Sequence, residues 1–215
     1  MNGAATNIAE SLLKIKAVRL QPGDPFTWAS GWQSPVYCDN RMTLSHPGLR
    51  KLIRDALVAK AKEVYPNATG VAGVATAGIP QGALVADQLD LPFIYVRSKP
   101  KAHGLTNQIE GQLDPSLSYL VVEDLVSTGG SCIQAVDAIR AAGGQVSGVI
   151  SVFTYGFPHA TAAFEAAGIP CISLLDLEVL LGKAVEIAYI SPLEMEVIDT
   201  WRKDPANWKA VPQNG

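Results

Sequence analysis

Apolar residues from position 49 onward follow two alternating spacings. In some segments they recur every three or four residues, which places them on one face of a helix. In others they form short continuous runs rich in β-branched residues, which is typical of buried strands. The first spacing predicts helices over residues 49–64, 79–89, 131–142 and 158–167. The second predicts strands over residues 70–75, 93–96, 119–122, 146–153 and 171–175.

The alternation of strands with helices predicts an α/β fold. Strands that are apolar throughout, rather than at every second residue, indicate a parallel sheet covered by helices on both faces. In such sheets, ligands bind beyond the carboxyl ends of the strands. The N-terminal residues are less periodic and rich in Pro, Gly, Trp and Ser. We therefore predict a small N-terminal hood over residues 1–45 and a core over residues 46–215.

Composition and charge narrow the range of partners. The 215 residues are 48% hydrophobic and 17% charged, with a net charge of -3. Such a chain has no overall attraction for nucleic acid or acidic membranes, so we expect neither as a partner. An anionic ligand must then be met by a local basic cluster. The three cysteines show no CxxC spacing, and residues 1–10 lack the pattern of a signal peptide, so we expect a reducing, cytoplasmic location.

The segment from Val121 to Ser131 carries the strongest chemical signal. An apolar strand leads into two adjacent carboxylates, Glu123 and Asp124, and then into a loop of small residues over 127–131. Glycines let a backbone approach a ligand closely, and the N–H groups of a loop at a helix start suit a phosphate. Ionised carboxylates only accept hydrogen bonds, so they suit the hydroxyl groups of a ribose. The pattern predicts a ribose 5-phosphate site, and the alternative is a strand-to-helix turn capped by Ser131.

A basic segment follows the strand predicted over residues 93–96. Four basic residues stand at every second position: Arg97, Lys99, Lys101 and His103. In an extended chain, this spacing presents all four on one face. Residues 98–118 are also long for a connection, and long loops in compact domains are often lids. We predict a mobile basic lid that neutralises pyrophosphate, and the alternative is a solvated surface loop.

Four motifs resemble a known family. The segment 121–131 resembles the signature by which type I phosphoribosyltransferases bind phosphoribosyl pyrophosphate (PRPP). Three further motifs resemble orotate phosphoribosyltransferases: the catalytic loop over 93–104 and 107–111, the N-terminal segment over 26–31 and 34–39, and the turn over 73–80. Four motifs in the right order are far more specific than any one. The resemblance implies a type I phosphoribosyltransferase core. It also implies transfer of the phosphoribosyl group from PRPP to orotate in pyrimidine biosynthesis.

The resemblance also implies roles for individual residues. PRPP is expected to contact the basic lid, the acidic pair and the loop: Arg97, Lys101, His103, Glu123, Asp124, Leu125, Val126, Ser127, Thr128, Gly129, Gly130 and Ser131. Lys101 is the expected catalytic residue, meeting the charge that develops on the departing pyrophosphate. Orotate is expected to contact Ser127, Tyr37 and Tyr155.

A cofactor and an assembly follow from the same resemblance. Mg²⁺ is expected, held mainly by PRPP and water, with Asp124 as the candidate protein contact. Family members place the lid in the active site of the partner subunit. The chain is therefore expected to form a homodimer with shared active sites.

The chain departs from the family pattern at four positions: Ala29, Ala77, Ser98 and Tyr155. Many members carry lysines at the first two, a basic residue at the third and a base-contacting arginine near the fourth. Two alternatives keep the PRPP site, namely a phosphoribosyltransferase acting on another base and a PRPP-sensing regulator. The first should lack the pattern over 97–103, and the second should add a DNA-binding domain or a basic face. The sequence meets neither condition.

Overall fold

The described N-terminal part of the chain contains one α-helix, two small ribbons and a 3-10 helix. The computed structural model describes residues 2–28, 31–99 and 108–210. The N-terminal elements are α1 (Asn2–Lys14), β1 (Val18–Leu20), β2 (Phe26–Thr27), β3 (Gln33–Ser34), β4 (Val36–Cys38) and a 3-10 helix (Asn40–Ser45). Strand β1 pairs with β4, and β2 pairs with β3, both antiparallel. The ribbons lie within the segment predicted as a hood.

The rest of the chain alternates between helices and strands. Its elements are α2 (Pro47–Val64), β5 (Gly70–Val74), α3 (Gly78–Leu89), β6 (Phe93–Val96), β7 (Ile109–Glu110), β8 (Ser118–Val126), α4 (Gly130–Ala141), β9 (Gln145–Thr154), α5 (Pro158–Ala166), β10 (Cys171–Asp176), α6 (Leu177–Glu186) and α7 (Pro192–Lys203). Each helix and strand predicted from the spacing of apolar residues is present. The largest difference is in β8, which continues past the predicted end at residue 122.

One sheet of the described chain contains six strands in the order β10-β9-β8-β5-β6-β7. The first five strands in this order are parallel to one another. The predicted parallel core is therefore confirmed. Strand β7 is antiparallel to β6 and lies inside the segment predicted as a lid. Its two residues are too few for an apolar spacing to reveal.

Helices cover both faces of this sheet, as predicted. In β8, Leu120 and Val122 belong to a buried cluster with residues of α1, α2 and α6. Tyr119 and Val121 belong to a second cluster with residues of α4 and α5. Successive side chains of a strand point to opposite faces, so a strand covered on both sides must be apolar at every position.

Helix α1 is not predicted by the spacing described above. Ile8, Leu12 and Leu13 are buried, and the helix packs against α6. The N-terminal segment therefore contributes to the same buried cluster as the helices of the sheet. The division of the chain at residue 45 stays a prediction.

Helix α7 connects the two parts of the molecule. Ser191 begins it with a capping box that includes Glu194. Trp201 is fully buried, and its indole N–H donates to the carbonyl of Gln33 at 3.1 Å. Its ring centroid lies 5.7 Å from that of Trp28. Across the described ranges, no helix is both long and apolar enough to span a bilayer.

Candidate active site

The phosphate loop, residues 127–131, joins β8 to α4 at the carboxyl edge of the sheet. A small cavity of about 80 Å³ lies against residues 125–132. Gly129 has a φ of 81°, a backbone conformation that other residues rarely adopt. Helix α4 begins at Gly130, and the first N–H groups of a helix have no partner within it. These groups and the partial positive charge of the helix start suit a phosphate.

The acidic pair lies inside β8 rather than beyond its end. Glu123 is 6% exposed, whereas Asp124 is only partly buried. Oε1 of Glu123 accepts a hydrogen bond from the backbone N–H of Asp124 at 3.0 Å. Its Oε2 lies 3.9 Å from the thiol sulfur of Cys132, which donates to it. Asp124 is therefore the more accessible of the two carboxylates, and Glu123 is the more buried one.

Burial changes the charge of this pair. It raises the pKa of Glu123, and the neighbouring charge of Asp124 raises it further. Burial also raises the pKa of Asp124, although Glu123 and Arg41 partly offset this effect. The pKa of Cys132 is raised as well, mainly by burial, so its thiol stays protonated and can donate to Glu123. The site therefore favours ligands that bring hydroxyl donors or positive charge to the pair.

The turn between β5 and α3 packs against the same end of β8. A Cβ on Gly78 would lie 2.5 Å from the carbonyl oxygen of Val122 and 3.2 Å from Oε1 of Glu123. A larger residue would push α3 away from the strand. The segment 73–80, one of the four motifs that resemble the family, is thus held beside the acidic pair.

A larger cavity of about 300 Å³ shares Leu125 and Ser127 with the first; we call it the base pocket. It is lined by Thr27, Trp28, Tyr37, Cys38, Leu125, Ser127 and Tyr155. The three predicted orotate contacts, Tyr37, Ser127 and Tyr155, therefore come together. Thr27 and Trp28 also line the pocket. The sequence did not predict them as individual contacts, although the motif over residues 26–31 contains them.

The base pocket is neutral and aromatic. None of the described residues that line it is charged at neutral pH. Burial raises the pKa of Tyr155 well above its usual range, so its hydroxyl remains protonated. The Tyr155 ring lies 5.1 Å from that of Trp28 and stacks on Phe157 at 5.3 Å. Flat rings on several sides suit a flat heterocyclic ligand.

The described part of the basic segment lies at the edge of the sheet. The backbone N–H of Arg97 donates to the carbonyl of Gln108 at 2.8 Å. Its guanidinium lies 3.4 Å from the Glu110 carboxylate. This pairing holds Arg97 against β7, and Lys99 is exposed. Lys101 and His103 lie outside the described residues, so their predicted roles remain predictions.

Comparisons with known proteins agree with this arrangement. The Phosphoribosyl transferase domain family matches residues 42–163, which include the phosphate loop. An orotate phosphoribosyltransferase of Phocaeicola vulgatus is 54% identical over 202 residues, covering 94% of this chain and 95% of that protein. The chain belongs to the orotate phosphoribosyltransferase family.

Solved orotate phosphoribosyltransferases have a similar fold. The enzyme from Aeropyrum pernix is 27% identical with a TM-score of 0.74, covering 86% of this chain and 99% of that one. The Mycobacterium tuberculosis enzyme, solved in complex with PRPP, is 26% identical with a TM-score of 0.64. That match covers 82% of this chain and 98% of the other. The predicted type I core is thereby confirmed.

Gly129→Ala should distort the phosphate loop and lower stability. The new Cβ would lie 2.8 Å from the ring of Phe164, at a position whose φ favours glycine. We expect a loss of about 1–3 kcal/mol in the free energy of unfolding, measured by chemical denaturation. Gly130→Ala is the matched control, because its Cβ would meet only Thr128 Oγ1 at 3.8 Å. Equal losses in both variants would contradict this account of the loop.

Glu123→Gln should change how stability depends on pH. Because the pKa of Glu123 is raised in the folded protein, the unfolded chain loses this proton first, above about pH 4.3. In that window the unfolded state binds fewer protons, so the wild type loses stability as pH rises, by at most about 1.4 kcal/mol per unit. Glutamine has no such proton. The free energy of unfolding of the variant should therefore rise relative to that of the wild type between about pH 5 and 8.

Chemical denaturation across this range measures the difference. Glu165→Gln, at an exposed site on α5, is the control and should run parallel to the wild type. A Glu123→Gln curve that is also parallel would show that Glu123 does not carry a retained proton.

Proposed function

We propose that the chain transfers the phosphoribosyl group of PRPP to orotate, yielding orotidine 5'-monophosphate and pyrophosphate in UMP biosynthesis. One observation carries the proposal: Leu125 and Ser127 line both the base pocket and the small cavity at the phosphate loop. A nucleotide with its base in the first cavity and its phosphate in the second would place its ribose at this end of β8, where Asp124 lies. The name of the relatives supports orotate as the base.

The proposed reaction exchanges one bond at the anomeric carbon of the ribose. A ring nitrogen of orotate gives up its proton and forms a bond to this carbon while the bond to pyrophosphate breaks, and the carbon is inverted. The electron pair of the broken bond leaves with pyrophosphate. Negative charge therefore grows on the leaving group, and positioned cationic donors stabilise it in a site that excludes water. We assign this role to Lys101, with Arg97 and His103 beside it.

The other site residues bind and orient the substrates. The phosphate loop would hold the 5'-phosphate through backbone N–H groups, and Asp124 would accept a hydrogen bond from a ribose hydroxyl. Ser127, Tyr37 and Tyr155 would contact orotate. Fixing both ends of the substrate places the reacting atoms together, which lowers the entropic part of the barrier.

Mg²⁺ fits this site as an ion delivered with PRPP. The described residues contain no group of three or more His, Cys, Asp or Glu side chains that could hold a metal. Mg²⁺ prefers oxygen ligands and usually retains several waters, so one accessible carboxylate such as Asp124 suffices beside the oxygens of PRPP. The bound ion would neutralise part of the phosphate charge.

We further propose a cytoplasmic homodimer with shared active sites. The family resemblance of the lid supports the shared site. The three cysteines, all free in the structure, suit a reducing compartment.

The substrate assignment predicts a strict requirement for three components. Orotate, followed by its ultraviolet absorbance, should be consumed only when PRPP and a divalent metal are both present. Adenine, hypoxanthine and uracil serve as control bases. Equal or faster consumption of any of them would contradict orotate as the substrate, and binding of PRPP without turnover would favour a regulator.

Lys101→Ala should slow the chemical step. If Lys101 meets charge that appears only as pyrophosphate leaves, kcat should fall about 10²–10³-fold while the KM for PRPP changes little. Lys99→Ala, two residues earlier, is the matched control for charge and should lose less than about tenfold in kcat. A higher KM with an unchanged kcat would instead mean that Lys101 only anchors PRPP.

Mixed dimers test the shared site. Lys101→Ala chains and Asp124→Asn chains should each be impaired alone. If the lid serves the partner, a mixed dimer has one site with both defects and one with none, so its activity should recover towards half. No recovery after verified subunit exchange would contradict shared sites.

A further inference from the structure

Asn40 joins the N-terminal part of the chain to the acidic pair. It opens the 3-10 helix that follows β4, and it is 1% exposed. Its side-chain N–H donates to the backbone carbonyl of Asp124 at 2.6 Å, although 84 positions separate the two residues. Tyr37 and Cys38, just before it, line the base pocket. This hydrogen bond therefore connects a wall of the base pocket to the residue that we place at the ribose.

The Asp124 carbonyl lies in the part of β8 that pairs with only one strand. Strand β5 pairs with β8 as far as Gly73, opposite Val122. Strand β9 continues beside β8 as far as Val126. Beyond Val122, β8 therefore has a paired strand on one side only. Asn40 supplies a hydrogen bond in this stretch, where the second strand is missing.

The amide of Asn40 is unfavourable for stability. Its Oδ1 is buried and has no hydrogen-bond partner among the described residues. A buried polar atom without a partner has lost its hydration and gained nothing in return. A side chain that served packing alone would therefore do better without the amide group.

Two neighbouring side chains make different hydrogen bonds. Thr43 Oγ1 donates to the carbonyl of Asn40 at 2.6 Å. Gln81 Nε2 donates to Thr43 Oγ1 at 3.4 Å. These bonds connect the 3-10 helix to α3 without involving Asp124. Thr43 thus offers a control in the same buried cluster.

We propose that Asn40 is a positioning residue, whose side-chain hydrogen bond orients Asp124 towards the ribose of PRPP. The inference rests on the function proposed above. Without this bond, the singly paired end of β8 is free to shift away from the 3-10 helix. PRPP then binds less tightly, while the phosphate loop and the basic lid are unchanged.

Asn40→Ala separates this role from a structural one. The variant removes the donor and leaves the Asp124 carbonyl without it, so it should melt below the wild type, as Thr43→Val should. Its KM for PRPP should rise about three- to tenfold, as expected for the loss of one hydrogen bond, while kcat stays within about twofold. Asn40→Asp keeps the shape but places an acceptor against the Asp124 carbonyl, so its KM for PRPP should rise at least as much.

Thr43→Val is the matched control. It removes both hydrogen bonds of Thr43 Oγ1 and leaves the bond from Asn40 to Asp124, so it should lower the melting temperature with little change in the KM for PRPP. The proposal is overturned by a wild-type KM for PRPP in Asn40→Ala, or by an equal rise in this KM in Thr43→Val. Calorimetric titration with PRPP alone gives the same comparison without a base. Failure of the proposed function is distinguishable, because the wild type itself would then not consume orotate.

Discussion

The burial of two carboxyl groups at the end of β8 is the constraint on which the site depends. Glu123 and Asp124 lie in the middle of the sheet, between the starts of α3 and α4. Removing a carboxylate from water disfavours its charged form, which is why the pKa values of both groups are raised. A ligand that supplies hydroxyl donors or a cation relieves this penalty. The same burial destabilises the ligand-free protein and would, under the proposed function, favour a sugar phosphate whose hydroxyl groups reach the pair.

Glycine makes this burial possible. Gly78 lets α3 approach the strand closely enough to enclose Glu123, and Gly129 lets the phosphate loop turn beneath Phe164. A side chain at either position would open the end of β8 to water or displace the loop. The acidic pair and the phosphate loop are therefore consequences of close backbone packing as much as of the residues that carry the chemistry.

A cluster of aromatic rings supports the base pocket. Trp201 packs edge-on against Trp28, Tyr155 and Phe157, with ring centroids 5.7, 5.7 and 5.3 Å away. These rings come from α7, from the residue after β2 and from the segment after β9. Trp28 and Tyr155 line the base pocket, and Trp201 supports both of them from α7. Residues remote from the phosphate loop in sequence thus determine the shape of the pocket for the base.

Local signals in the sequence predicted the parallel core and the phosphate loop, because the spacing of apolar residues and the small residues after β8 are local. The continuation of β8 was missed, since Glu123 and Asp124 do not look like strand residues until their burial is known. Helix α1 was missed although Ile8 and Leu12 are spaced as on a helix, because the residues after them are irregular. The bond from Asn40 to Asp124 spans 84 positions, and no local pattern could predict it.

A crystal structure with orotidine 5'-monophosphate is the most direct test of the central claim, that one nucleotide spans the two cavities across the end of β8. The account predicts the base ring between Tyr37 and Tyr155 and a ribose hydroxyl on Asp124. It also predicts the phosphate about 2.7–3.2 Å from backbone nitrogens of the phosphate loop. A phosphate bound elsewhere, or a base that lies outside the base pocket, would contradict the account.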